Sequence, residues 1–151
     1  MKLAEALILR SDLQKRIEQL KNRLRNNVMV QEGDRPSEEP EVLLKEFDDC
    51  LLELTDIIKR INRTNNTTKF NEEWTLSDAL AERDKLWEKR FILSHVAEAA
   101  SVKQDRYSRT EIKYISVVNV KELQKQIDKL SKEYRELDTK IQGLNWTIDL
   151  I

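Results

Sequence analysis

Two arginines, Arg10 and Arg83, lie on apolar helical stripes, where a charged side chain needs a partner. A guanidinium in such a place binds a carboxylate, a backbone carbonyl or an anion, because a buried charge without a partner is costly. Three interpretations stay open. The arginines pair with acidic residues of neighbouring helices, they extend outward into solvent, or they form a site for an anion, a polar small molecule or a second subunit.

Asparagines and threonines gather at the ends of two predicted helices, in "NRTNNTT" and "LNWTIDL". Some of their triplets match the acceptor pattern for N-glycosylation, which matters only in a secreted eukaryotic chain. The first residues lack a signal-peptide pattern, so glycosylation is not expected. The candidate polar cluster, for a small anion, another polar ligand or an interface, is Arg10, Arg83, Asn62, Arg63, Asn65, Thr67, Asn145 and Thr147.

A second candidate group lies in "RYSRTEIKY" and consists of Arg106, Tyr107 and Arg109. Aromatic rings beside basic groups can stack on and neutralise single-stranded nucleic acid. However, Asp105 and Glu111 dilute the local charge, the net charge of the chain is −1 and its pI is about 6.0. We therefore expect no nucleic-acid partner.

No spacing of residues matches a catalytic, metal-binding or cofactor-binding motif. The single histidine, His95, has no recognisable partner motif, so a structural role is expected. Cys50 is the sole cysteine and lies on a core stripe, which predicts an inert buried thiol and excludes an intrachain disulfide. The sequence thus predicts a protein that is not an enzyme and that uses no metal or cofactor.

The composition favours long helices with solvated faces. Charged residues make up 36 % of the chain and apolar residues 39 %, with two glycines and two prolines. The hydrophobic period predicts helices over about 2–25, 41–62, 76–103 and 119–142, and Thr75 to Asp78 resembles a capping box. Helices of similar length suit an antiparallel four-helix bundle, so we predict an all-α fold with a single domain over 1–151.

Two predicted helices carry more apolar surface than a narrow bundle seam needs. In the helix over 41–62, a second row of Leu44, Leu51 and Ile58 widens the buried face. The helix over 119–142 keeps a heptad pattern throughout, as in a coiled coil. Excess apolar surface is usually buried against another subunit, which predicts a homo-oligomer.

The two connections that follow the first and third helices contain short β-like pieces, at about 27–31 and 112–117. In an up-down-up-down bundle both connections fall at the same end. We therefore predict that they pair as a small two-stranded β cap, which is too small to stand alone in water.

The chain also shows signs of an internal duplication. "LAEALILRSDL" and "LSDALAERDKL" share the pattern L-x-[ED]-A-L-x-x-R-x-x-L, which aligns Arg10 with Arg83. At a slightly larger offset the apolar stripes of the second and fourth helices also align, and Asn65-x-Thr67 falls on Asn145-x-Thr147. Two copies related by a pseudo-twofold axis would bring the candidate polar cluster to one end of the bundle.

Five stretches spread over the chain carry a resemblance to a known family. They are "MKLAEALILRSDLQKRIEQL", "VQEGD", "INRTN", "RYSRTEIKYISVV" and "NWTIDLI". With them the chain resembles the septicolysin-like family of small bacterial proteins. The resemblance implies a bacterial protein of mostly unknown biochemistry, and the family name implies a cytolytic, pore-forming activity at membranes.

The sequence does not specify a biochemical function. It has no signal pattern and no apolar stretch of 18 residues, so a cytoplasmic location is expected. The leading interpretation is a non-enzymatic helical protein that works by oligomerising or by binding a partner. The alternatives are a septicolysin-type cytolysin, and a binder of a small polar or anionic ligand at the end rich in Arg and Asn.

Overall fold

The computed structural model describes residues 1–101 and 112–151, and nearly all of its regular structure is helical. The helices are α1 (Leu3–Asn27), α2 (Pro40–Thr67), α3 (Leu76–Ala100) and α4 (Val120–Thr147). Within these two ranges, β structure is limited to two isolated bridges. The predicted all-α class with four long helices is therefore confirmed.

Local hydrogen bonds fix where the helices begin. The Thr75 hydroxyl accepts from the Asp78 N–H, and the Asp78 carboxylate accepts from the Thr75 N–H at 2.8 Å. This reciprocal pair confirms the capping box before α3. The hydrogen bond from the Thr75 backbone, followed by that from its hydroxyl, lowers the pKa of Asp78. The Asn119 side chain accepts from the Glu122 N–H and caps α4 in a similar way.

Helices α2 and α4 continue beyond their predicted ends, so the Asn- and Thr-rich stretches are helical and not loops. The Thr64 hydroxyl donates to the Arg60 carbonyl and the Thr67 hydroxyl to the Arg63 carbonyl, each at 2.9 Å. Asn and Thr have low helix propensity, which is why the sequence pattern predicted an earlier end. Here local hydrogen bonds and the burial of Thr64 outweigh that propensity.

The predicted strands at 27–31 and 112–117 do not form, so the prediction of a two-stranded cap was wrong. Both segments are exposed and irregular, apart from the helical end of α1 at Asn27. Two strands this short offer too little burial to hold a sheet together. Instead, Asn27 holds the connection after α1: its side chain donates to the Arg23 carbonyl at 2.8 Å and accepts from the Glu38 N–H at 3.0 Å.

The chain divides into two compact units, Met1–Thr68 with Gln142–Ile151, and Lys69–Ile141. In the first unit, α1 and α2 run antiparallel, because Arg23 pairs with Glu38 while the earlier Arg16 pairs with the later Glu46. The core between these helices is apolar. It consists of Leu20, Leu43 and Cys50, with Ile17, Leu24 and Phe47 packed against them. The predicted burial of the Cys50 thiol is thus confirmed.

Backbone pairing between residues 1–3 and 148–150 closes the first unit. Leu3 donates to the Ile148 carbonyl and Leu150 to the Met1 carbonyl, both at 2.9 Å. The Lys2 ammonium lies 2.8 Å from the Asp149 carboxylate, and this hydrogen bond lowers the pKa of Asp149. The final residues therefore pack beside the start of α1.

The second unit contains α3 and most of α4, which also run antiparallel. Arg83 near the start of α3 contacts Asp138 late in α4, whereas Ser101 after α3 and Val120 at the start of α4 line one depression. Before α3, Lys69 and Thr75 form an antiparallel bridge.

The structural repeat follows the sequence repeat. Helices α1 and α3 each have 25 residues, and α2 and α4 each have 28. The bond from the Leu150 N–H to the Met1 carbonyl has its counterpart in the bond from the Phe70 N–H to the Trp74 carbonyl, also at 2.9 Å. Each pair of helices is thus followed by the same short backbone pairing, as the predicted duplication requires.

The core of the first unit predicts a large effect of truncating Leu20. Leu20→Ala should lower the free energy of unfolding by about 2–5 kcal/mol, because it leaves a cavity beside Leu43 and Cys50. Leu52→Ala on the exposed side of α2 is the matched control and should change it by less than about 0.5 kcal/mol. Urea unfolding measures both, and equal effects would contradict this core.

The closing pair predicts a pH-dependent contribution from Asp149. Its folded pKa lies below its unfolded value of about 3.9, so its contribution is present above that pH and is lost as the pH falls through the folded pKa. Asp149→Asn should therefore destabilise the protein at neutral pH and have a smaller effect near pH 2.5. Urea unfolding at both pH values tests this. Lys2→Met is the control. In the double variant its effect on the free energy of unfolding should not add to that of Asp149→Asn, because each change removes the same ion pair. Fully additive effects would exclude the pairing.

Candidate functional site

Arg83 is held inside the second unit by acidic side chains. Its side chain is 23 % exposed, and Nη1 donates to Asp138 Oδ1 at 2.9 Å. Its Nε lies 3.6 Å from Asp84 Oδ1 and is buried without a hydrogen-bond partner among the described residues. Of the three interpretations drawn from the sequence, the structure thus favours pairing with an acidic residue for Arg83.

Arg10 occupies the equivalent position on α1 but lacks such a partner. It is half-buried, and its guanidinium forms no hydrogen bond or ion pair with any residue of 1–101 or 112–151. The duplication explains the difference, because the residue of α2 that aligns with Asp138 is Ile58. The carboxylate that neutralises Arg83 has no counterpart beside Arg10.

The remaining members of the candidate polar cluster lie on the last turns of α2 and α4. The hydroxyls of Thr67 and Thr147 donate to carbonyls of their own helices, each at 2.9 Å. Asn62 and Arg63 are exposed and Asn65 is half-buried. The hydroxyl groups of the two threonines therefore find hydrogen-bond acceptors within their own helices.

Three polar residues in the first unit are buried: Asn27, which holds the connection after α1, and Asn145 and Thr64. Asn145 is 5 % exposed and makes no side-chain hydrogen bond within the described chain. Thr64, which the sequence did not single out, is fully buried, and its hydroxyl accepts from the Ile151 N–H at 3.0 Å. A signal for Thr64 was its position on the apolar stripe of α2, one turn beyond Ile61.

The predicted cluster is divided between the two units. Arg83 belongs to the second unit and the other seven members belong to the first, so their meeting at one end of the molecule stays a prediction. The second candidate group, Arg106, Tyr107 and Arg109, lies outside the described residues.

The described residues offer little for catalysis or for membrane insertion. Among them, no group of three or more His, Cys, Asp or Glu side chains is placed to hold a metal ion. None of their helices combines the length and the apolar character needed to cross a bilayer.

The clearest unusual feature of the first unit is an apolar row on the outer side of α2. This α2 row consists of Leu44, Leu51 and Ile58, and Leu52 lies beside it. Leu44 is 49 % exposed, Leu51 37 % and Leu52 72 %, whereas Ile58 is half-buried. The aligned residues of α4 are all polar: Gln124, Ser131, Asp138 and Lys132. The same position in the repeat is therefore polar in one half and apolar in the other.

The second unit carries an exposed aromatic row on α3. The rings of Trp87 and Phe91 stack with centroids 5.0 Å apart, and the ring of His95 meets Phe91 edge-on at 4.4 Å. The aligned residues of α1 are polar, with Gln14 in place of Trp87 and Glu18 in place of Phe91. The sequence reading missed this row, although the spacing of four residues and the polar counterparts in α1 were visible signals.

These features define a class: an all-α protein built from two similar antiparallel helix pairs, with exposed apolar rows and no cluster of catalytic or metal-binding groups among the described residues. Residues 10–150 match a family described as "Family of unknown function (DUF6847)". The chain belongs to this family.

Comparison with solved structures supports the fold. The chain is similar to a functionally unknown conserved protein from Corynebacterium diphtheriae, solved by crystallography, with 45 % identity and a TM-score of 0.95. The match covers 100 % of this chain and 99 % of that chain. A search of curated proteins found no match. Neither the family nor this solved structure is described with an activity. The resemblance to the septicolysin-like family stays a prediction.

The contacts of the two aligned arginines predict different effects of removing them. Arg83→Ala should destabilise the protein by about 1–3 kcal/mol, because it removes the charged hydrogen bond to the half-buried Asp138 carboxylate. This is less than the loss for a fully buried pair, since both side chains keep some contact with water. The matched control, Arg10→Ala, should cost less than about 0.5 kcal/mol. Thermal or urea unfolding measures both, and equal losses would contradict the assignment.

Proposed function

We propose that this protein is a non-enzymatic helical protein that works by self-association, and that the α2 row is the surface through which it associates. The observation that carries the proposal is the exposed α2 row itself. Leu44 and Leu51 are exposed to water, whereas the aligned positions of α4 carry polar residues.

The hydrophobic effect gives this row a strong tendency to be covered. Burying a leucine that is otherwise exposed is worth about 1.5–3 kcal/mol, and a contiguous apolar patch on a soluble protein usually marks an interaction site. The row stands on a regular helix that is already held against α1 by a packed core. A partner would therefore bind a preformed surface, and ordering of this surface would cost little of the binding free energy.

The comparison between the two halves supports the same conclusion. If the halves derive from one duplicated sequence, the outer positions of α2 and α4 started alike and then diverged. Two of the aligned α4 residues, Gln124 and Lys132, are exposed polar side chains, as on an ordinary solvated helix face. The leucines of α2 depart from that pattern without contributing to the core, which is expected of residues that bind another protein.

The proposal predicts a dimer or larger assembly in solution. At micromolar concentration, light scattering should give at least twice the monomer mass for the parent protein. Leu51→Glu should give a monomer, because it places a charge in the covered row, while the helix content measured by circular dichroism stays unchanged.

The matched control is Gln124→Glu, which places the same side chain at the α4 position equivalent to Leu44. It should leave the mass of the parent assembly unchanged. A parent protein that is monomeric at this concentration, or a Leu51→Glu variant that keeps the parent mass, would reject the proposal.

A further inference from the structure

We propose that the first unit contains a binding site for the oxyanion group of a small molecule, a carboxylate or a phosphate. The Arg10 guanidinium and the Asn145 amide would hold this group. Both polar groups belong to the same unit, and neither has a partner among the described residues. The site goes beyond the proposed function, because it does not depend on self-association through the α2 row.

Arg10 lies on the buried stripe of α1. Ala6, one turn before it, is 0 % exposed, and Leu13, one turn after it, is 4 % exposed. The positions three and four residues away, where a neighbour on the same helix could pair with the guanidinium, hold Ala6, Leu7, Leu13 and Gln14, none of them acidic. A half-buried guanidinium without a counter-charge is costly, because it loses part of its water shell and gains no hydrogen bond in return.

The second unit shows which group suits an arginine at this place in the repeat. Arg83 occupies the equivalent position on α3, and its Nη1 donates to Asp138 Oδ1 at 2.9 Å. Carboxylate and phosphate oxygens match the planar fork of guanidinium N–H groups. In the first unit, Ile58 stands at the position that aligns with Asp138. The oxyanion that the chain itself supplies to Arg83 would therefore come to Arg10 from a ligand.

Asn145 is a second polar group without a partner in this unit. It is 5 % exposed, and its amide makes no hydrogen bond with another described residue. Buried side-chain amides normally have partners, so one that lacks them requires an explanation such as a bound ligand or water. Thr147, on the same turn of α4, shows the contrast, because its hydroxyl donates to the Leu144 carbonyl.

The junction between α4 and α1 sets the spacing of the two groups. The Leu3 N–H donates to the Ile148 carbonyl at 2.9 Å, and the backbones pair antiparallel there. Asn145 lies about one helical turn before Ile148, and Arg10 lies about two turns after Leu3, so their levels differ by about 6 Å. Long side chains on a helix lean toward its N-terminus. We therefore expect the Arg10 side chain to extend toward the level of Asn145.

The chemistry of the two groups defines the ligand class. The guanidinium and the amide N–H both donate hydrogen bonds to oxygens, and the positive charge repels cations. The neighbouring residues of the α1 stripe are apolar and add no further charge. The site therefore fits a single oxyanion group and not a polyanion such as nucleic acid.

Thermal unfolding in the presence of simple oxyanions tests the site. Sodium acetate or sodium phosphate is titrated into the full chain, and sodium chloride keeps the ionic strength constant. An oxyanion that binds only the folded protein should raise the melting temperature by about 3–6 °C at ten times its dissociation constant. A rise with acetate alone would identify a carboxylate ligand, and a rise with phosphate alone would identify a phosphate ligand.

Arg10→Met should abolish this rise, because methionine keeps an apolar stem and removes the guanidinium. Arg63→Met is the matched control, since Arg63 is an exposed arginine of α2 in the same unit, and it should keep the rise. A parent protein that responds to neither oxyanion would overturn the inference. An Arg10→Met variant that responds like the parent would also overturn it.

An aspartate at position 58 tests the comparison between the two halves. Ile58→Asp gives Arg10 the internal partner that Arg83 has, so it should remove the response to oxyanions although Arg10 is still present. Ile58→Asn has nearly the same shape without the charge and should keep the response. Equal responses of these two variants would contradict the role assigned to Arg10.

Asn145→Leu separates a ligand-binding role of the amide from a structural one. Leucine has a similar volume and needs no hydrogen bond, so the variant should be at least as stable as the parent without oxyanions. Its dissociation constant for the oxyanion should rise about tenfold, because one hydrogen bond to the ligand is lost. A destabilised variant that binds as tightly as the parent would overturn the assignment of Asn145.

The monomeric variant separates this site from the proposed function. Leu51→Glu changes the α2 row and leaves Arg10 and Asn145 in place, so its response to oxyanions should equal that of the parent protein. If the parent is monomeric but responds through Arg10, the proposed function fails and the site stands. If the parent associates but does not respond, the site fails and the proposed function stands.

Discussion

An amphipathic helix in a pair can turn only one stripe toward its neighbour, and this limit decides where the apolar residues of the protein lie. In the first unit that stripe is filled by Leu20, Leu43 and Cys50 between α1 and α2. Any apolar residue a quarter turn away lies outside this contact and remains in water unless something else covers it. The leucines of the α2 row are in that position. Because the contact between two helices covers only one stripe, these additional apolar residues form an exposed surface.

Features that depend on residues close together in the sequence were predicted, whereas features that depend on residues far apart were not. The helices, the capping box at Thr75 and the burial of Cys50 depend on periodicity and near neighbours, and all were predicted. The ends of α2 and α4 were predicted too early because Asn and Thr have low helix propensity. The burial of Thr64, whose hydroxyl accepts a hydrogen bond from the Ile151 N–H, depends on residues far apart in the chain. The β-like pieces were misread because strand propensity needs a partner strand of sufficient size.

The candidate sites show the same division. The position of Arg83 on an apolar stripe predicted that its guanidinium needs a partner, and the structure supplies Asp138. No local pattern could identify that aspartate, because the two residues lie on different helices. An alignment of the two halves, however, shows that Asp138 stands at the position that Ile58 occupies in the first half, where the residue is apolar. An alignment of the repeats therefore carries information about contacts that neither half shows alone.

The pairing of residues 1–3 with 148–150 has a consequence for how the chain is ordered. The same bonding pattern occurs between Phe70 and Trp74, where the backbone runs on from α2 to α3 without a break. The structure thus has two equivalent junctions, one closed by peptide bonds and one by hydrogen bonds alone. A circularly permuted chain, joined between Ile151 and Met1 and opened within the 70–74 turn, would have the same helices and the same bonded neighbours.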